Sequence, residues 1–130
     1  MGGSLFIGWN DNRQRESNFQ RTGGFVNGSY WDAFGDLLDA VFLPDYLILH
    51  EIIKSEEGEY LKFYSFVELD KEDFNKTVKI IRDYISKQQN PTKWQKMAIV
   101  VWEDIAEPYV IQDERYEAYN DFVKDYLLDT

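Results

Sequence analysis

The chain contains no cysteine. That absence excludes disulfide bridges, thiolate metal sites and cysteine nucleophiles together. Histidine is nearly absent too: His50 is the single copy. One imidazole among scattered serines gives no Ser-His-Asp order. The glycines at 2, 3, 8, 23, 24 and 28 lack the spacing of a phosphate-cradling loop. No apolar run approaches the ~18 residues of a membrane-spanning helix. The first residues carry no basic stretch followed by a long apolar one, so the expected location is cytoplasmic. No cofactor is expected.

Basic residues are also scarce. Fourteen Lys and Arg face 24 Asp and Glu, for a net charge of −10. Such a chain is repelled at long range by nucleic acid and by anionic membranes, and attracted to basic surfaces. The imbalance is local. Residues 22–61 hold eight acids and one base, and residues 103–130 hold nine acids and two bases. Residues 71–96 reverse the sign, with seven bases and three acids.

Aromatic residues are abundant, with nine Phe, nine Tyr and four Trp in 130 residues. A chain this rich in aromatics can bury enough surface to fold, and its length suits one domain over residues 1–130. The expected class is α/β: a small mixed sheet of four or five strands with helices packed on it. The pattern predicts strands over 4–9, 46–53, 60–67 and 97–102, and a short one over 108–112. Glu56-Glu57-Gly58 reads as the turn of a hairpin joining the second and third. Helices are predicted over 30–42, 71–88 and 113–128, with a short one around 15–20. Gly23, Gly24, Asn27 and Gly28 read as a loop. Ser29 is the expected cap of the first long helix and Asp70 of the second. At least one parallel strand pair is expected.

The helix over 30–42 carries two stripes. Phe34, Leu37, Leu38 and Val41 follow the i, i+3, i+4, i+7 spacing of a buried face, with Trp31 one turn earlier. Asp32, Asp36 and Asp39 share the opposite face. Like charges one turn apart repel, and Asp is a poor helix former. Gly35, mid-helix, costs ~1 kcal/mol against alanine. These are poor choices for stability alone and good ones for an interface, because a short carboxylate loses little entropy when fixed. A solvated face is the plainer reading. Asp32, Asp36 and Asp39 are also the only acids placed to seed a carboxylate metal site, which needs several converging oxygens. His50, within the predicted strand 46–53, points away from Glu51 and reads as a half-buried structural residue.

The segment Gly28-Ser29-Tyr30-Trp31-Asp32-Ala33-Phe34-Gly35-Asp36-Leu37-Leu38-Asp39, followed by Leu43-Pro44-Asp45-Tyr46-Leu47-Ile48-Leu49, resembles the signature of the barstar family. These are small acidic inhibitors of secreted ribonucleases. The match spans residues 28–49 and rests on Trp31-Asp32-Ala33-Phe34 and Asp36; Tyr30 stands where the family has Asn. The resemblance implies a short loop and then a central strand after the helix. It also implies that Asp32 and Asp36 occupy phosphate positions in a nuclease active site, with Asn27, Ser29 and Tyr30 packing around them. The expected function is therefore that of an immunity protein, an antitoxin that binds and blocks a basic nuclease toxin without catalysing a reaction. Two alternatives stand beside it. One is an acidic mimic of nucleic acid using Glu103, Asp104, Glu107, Asp113, Glu114, Glu117, Asp121 and Asp125. The other is a small hydrolase with a carboxylate site.

Overall fold

The computed structural model describes residues 2–9 and 21–118. Its elements run in the order β1 (Gly3–Trp9), β2 (Arg21–Val26), α1 (Gly28–Phe42), α2 (Leu47–Ile53), α3 (Glu56–Leu61), β3 (Phe63–Ser65), α4 (Lys71–Ser86), α5 (Lys93–Val100) and α6 (Glu107–Val110). A π-helical segment, Val101–Ala106, carries α5 directly into α6. The mixed α/β class holds. The sheet has three strands among the described residues, in the order β2-β1-β3, instead of four or five.

β1 lies at the centre. It pairs antiparallel with β2, with a register irregularity between Phe6 and Gly8, and parallel with β3. The expected parallel pair is therefore β1 with β3. The hairpin is formed by β1 and β2; of the glycines read as a loop, Gly23 and Gly24 belong to β2 and Gly28 opens α1. Gly23 has φ 140°, and a Cβ there would fall 1.8 Å from the Leu5 carbonyl oxygen, so only glycine fits.

Three predicted strands are helical. Residues 46–53 form α2, in which Leu49 and Ile53 are buried while Leu47 and Ile48 are exposed. A strand buried on both faces would hide all four; a helix hides one stripe. Residues 56–58 begin α3 instead of a turn, and the Ser55 side chain caps it by accepting from Gly58 N at 3.0 Å. Residues 97–102 lie in α5 and the π-helical segment. Their helix starts at a reciprocal cap: Thr92 Oγ1 accepts from Gln95 N, and Gln95 Oε1 accepts from Thr92 N. Residues 108–112 coincide largely with α6.

The remaining helices follow the pattern more closely. α1 starts earlier than predicted, and Asn27 occupies the cap position with no side-chain bond, so Ser29 is not the cap. α4 is capped as expected, with Asp70 Oδ1 accepting from Asp73 N at 2.8 Å. Most of the predicted helix over 113–128, and the short one around 15–20, lie outside the described residues; Asp113 to Glu117 are not helical.

The core gathers Leu5 and Ile7 of β1, Val26 of β2, Phe34, Leu38 and Phe42 of α1, Phe74, Val78 and Ile81 of α4, and Trp102. α1 packs along α5 and also touches α2, α4 and the π-helical segment. Burial of these side chains, each contributing ~1.5–3 kcal/mol, is the main force fixing α1 on the sheet. Among the described residues no helix is long and apolar enough to cross a membrane.

Candidate interaction face and the cleft beside it

Packing fixes which side of α1 faces outward. Trp31, Ala33, Phe34, Gly35, Leu37, Leu38, Val41 and Phe42 are buried, as the periodicity requires. Asp32 and Asp36 are exposed, and Asp39 is half-buried. The loop residues behave similarly: Asn27 and Ser29 are exposed, and Tyr30 keeps 39% of its surface accessible.

The three aspartates share a stripe but meet different surroundings. Asp36 leans toward α5, where its Oδ2 accepts from Trp94 Nε1 at 2.8 Å. Asp39 leans the other way, toward α2. Its Oδ1 accepts from His50 Nε2 at 2.7 Å and from Lys54 Nζ at 2.8 Å. Burial alone would raise the Asp39 carboxyl; the bonds from Lys54 and His50 outweigh it and hold the group below its ordinary range. Asp39 thus ties α1 to α2. Asp32 has no hydrogen bond or ion pair among the described residues. The sequence places all three on one face; it does not separate the free carboxylate from the engaged ones.

Beside this stripe lies a half-open cleft of about 460 Å³, lined by Trp31, Asp32, Asp39, Leu43, His50, Lys54, Ser55, Glu59, Lys62 and Tyr64. The rings of Trp31 and Tyr64 stack with centroids 3.7 Å apart and planes 8° from parallel. Lys54 Nζ sits 5.6 Å from the Tyr64 ring centre. A Cβ at Gly35 would fall 2.3 Å from the Tyr64 hydroxyl oxygen. The glycine that looked costly in a helix is the gap that admits this phenol. Burial, and then the charges of Asp32, Asp39, Asp36 and Glu59, push the phenol above its ordinary value, so it stays protonated.

Sequence reasoning missed His50, Lys54, Glu59 and Tyr64 as neighbours of the stripe. Reading 46–53 as a strand put the side chains of that segment on the wrong period. A helical reading aligns His50 with Lys54, one turn apart.

Apolar side chains are also exposed on this side of the chain. Leu43 on the cleft, Leu47 and Ile48 on α2, and Tyr60 and Leu61 on α3 keep between 46% and 85% of their surface accessible. The tail acids differ. Glu107 accepts from Arg82 through both oxygens and from Trp102 Nε1. Asp113 chelates Arg115, and Glu117 pairs with Lys71. Glu103, Asp104 and Glu114 are exposed, while Asp121 and Asp125 lie outside the described residues. Among the described residues no group of three or more His, Cys, Asp or Glu is placed to hold a metal ion. The segment that the barstar resemblance implies to be a central strand is α2. Comparison with models of known protein families, with curated proteins and with solved structures finds no match for this chain.

Proposed function

We propose that this chain is a binding protein whose acidic α1 face engages a basic protein partner, in the manner of an immunity protein that blocks a nuclease toxin. One observation carries the reading. Asp32 and Asp36 stand exposed on the outward side of a helix held from behind by eight buried residues. Carboxylates fixed on a rigid element lose little freedom on binding and keep their spacing. Exposed Tyr30 and Leu43 flank the stripe and supply apolar contact next to charge, the usual make-up of a binding hot spot. The barstar resemblance over residues 28–49 names the partner class, a basic ribonuclease, and casts Asp32 and Asp36 as occupants of phosphate positions, with Asn27, Ser29 and Tyr30 around them. Asp39 supports the face from behind through Lys54 and His50. The nucleic-acid mimic is less favoured, because Glu107, Asp113 and Glu117 are engaged in internal pairs.

The test is capture from host lysate at low and then high salt, followed by titration of the captured protein. A small basic nuclease released by salt is the expected outcome. Asp32→Ala and Asp36→Ala should each weaken its binding by ~2 kcal/mol or more without lowering the melting temperature. Affinity that follows Glu103 and Asp104 instead, and ignores α1, would overturn the proposal in favour of the mimic.

A further inference from the structure

We infer that the cleft bounded by α1, α2 and α3 is a receptor for one cationic side chain, an arginine or a lysine, presented by the partner. The inference rests on the acidic-face reading but concerns a recess that the stripe alone does not define.

Three observations converge. First, Asp32 and Glu59 line the cleft from two different helices, and neither side chain has a hydrogen bond or ion pair among the described residues. Second, Tyr64 lines the same cleft with its ring buried and only 8% of the residue exposed, and its hydroxyl has no hydrogen-bond partner among the described residues. A hydroxyl at the mouth of a buried ring that bonds to nothing in the fold keeps its lone pairs open to a donor from outside. Third, the neighbouring charges decide the sign of that partner. The charge of Asp39 is met within the fold by Lys54, and His50 adds a hydrogen bond to the same oxygen. What remains uncompensated on the cleft wall is Asp32 and Glu59 against the exposed Lys62.

A guanidinium suits this arrangement. Its planar fork donates several N–H bonds, enough to serve carboxylates and a phenol oxygen together. Leu43 on the cleft wall offers apolar surface for the methylene stem. An anion would meet Asp32 and Glu59 and be repelled.

The probe is N-acetyl-arginine amide, titrated into the full chain and followed by two-dimensional amide NMR. Saturable shifts confined to residues 31–39, 50–54 and 59–64 are expected. Glu59→Gln should weaken the apparent affinity about 5-fold and Tyr64→Phe by about 3-fold, while Lys62→Ala should tighten it about 2-fold. Glu72→Gln, on α4 and away from the cleft, should change nothing. The neutral analogue N-acetyl-citrulline amide should give no saturable shift. Shifts spread over the whole acidic surface, equal binding of the citrulline analogue, or indifference to Glu59→Gln would each overturn the inference. The two proposals fail separately. If the probe fills the cleft but no basic protein is captured, the receptor stands and the inhibitor reading falls. If a basic protein binds equally well to the wild type and to Glu59→Gln and Tyr64→Phe, the receptor falls and the inhibitor reading stands.

Discussion

Gly35 shows how a residue can look wrong locally and be right in three dimensions. By helix propensity, Gly35→Ala should stabilise α1 by ~1 kcal/mol. The structure predicts the opposite sign, because the added methyl would lie 2.3 Å from the Tyr64 hydroxyl and 3.2 Å from the ring carbon that bears it. Over-packing of this kind costs ~1–3 kcal/mol. In a Tyr64→Phe background most of that cost should vanish, since the nearest atom is gone. Urea denaturation of the two single variants and the double variant measures the coupling. Additive effects would show that the phenol does not occupy the gap. The oddity of the glycine is visible in the sequence; its cause lies on β3, far along the chain.

At the scale of elements, apolar runs proved ambiguous. Tyr-Leu-Ile-Leu-His-Glu-Ile-Ile at 46–53 and Met-Ala-Ile-Val-Val-Trp at 97–102 both have the composition of buried strands, and both are helical. Short apolar runs do not reveal their period, because nearly every position is apolar in either reading. A usable signal was present in the second case: Thr92 and Gln95 have the spacing of a capping box. α1 and α4 were legible because polar residues interrupt their apolar stripes at helical spacing.

α2 also illustrates how thinly one element can be held. It buries only Leu49 and Ile53, and the Asp39 pair with His50 and Lys54 adds a polar tie to α1. The Asp39 carboxyl is held below its ordinary 3.8 in the fold. Its contribution is therefore full above the unfolded value and is lost as pH falls through the folded one. Half-exposed pairs are worth ~1 kcal/mol at most, so the effect should be local. Asp39→Asn should speed amide exchange in α2 about 3-fold near neutral pH, while α4 stays unchanged. Acidifying through the depressed value of the Asp39 carboxyl, below its ordinary 3.8, should bring the wild type to the variant's level. Equal protection in the two proteins at neutral pH would show that the pair does not hold α2.

For the molecule as a whole, Arg115 fastens parts that the chain order leaves apart. Its Nη1 donates to the carbonyls of Phe66 at 2.9 Å and Leu69 at 2.7 Å, and its Nη2 to that of Ile7 at 2.7 Å. Asp113 holds its Nε and Nη2, and the guanidinium lies 4.0 Å from the Phe74 ring centre. β1, the segment after β3, α4 and the turn after α6 thus meet at one side chain. Arg115→Met would leave three carbonyls and a 6%-exposed aspartate without their cation. The expected cost is about 3 kcal/mol by urea denaturation. Arg115→Lys should recover only part of it, because a lysine lacks the fork. A loss below ~1 kcal/mol for Arg115→Met would show that water replaces the guanidinium readily.

The sequence by itself determined the class of the molecule. It specified a mixed α/β chain with an aromatic core, an excess of negative charge concentrated in two zones, a helix with opposed apolar and acidic faces, and no cysteine chemistry. These properties are sums or local periodicities, and they survive any arrangement of the parts. Tertiary structure alone decided three things. It decided which apolar runs became helices, because that depends on which surfaces were left to cover them. It set the number of strands, because a strand exists only where a partner offers its hydrogen bonds. And among the described residues it left Asp32 without a partner while engaging Asp36 and Asp39, because a carboxylate is free or paired according to neighbours that arrive from elsewhere in the chain.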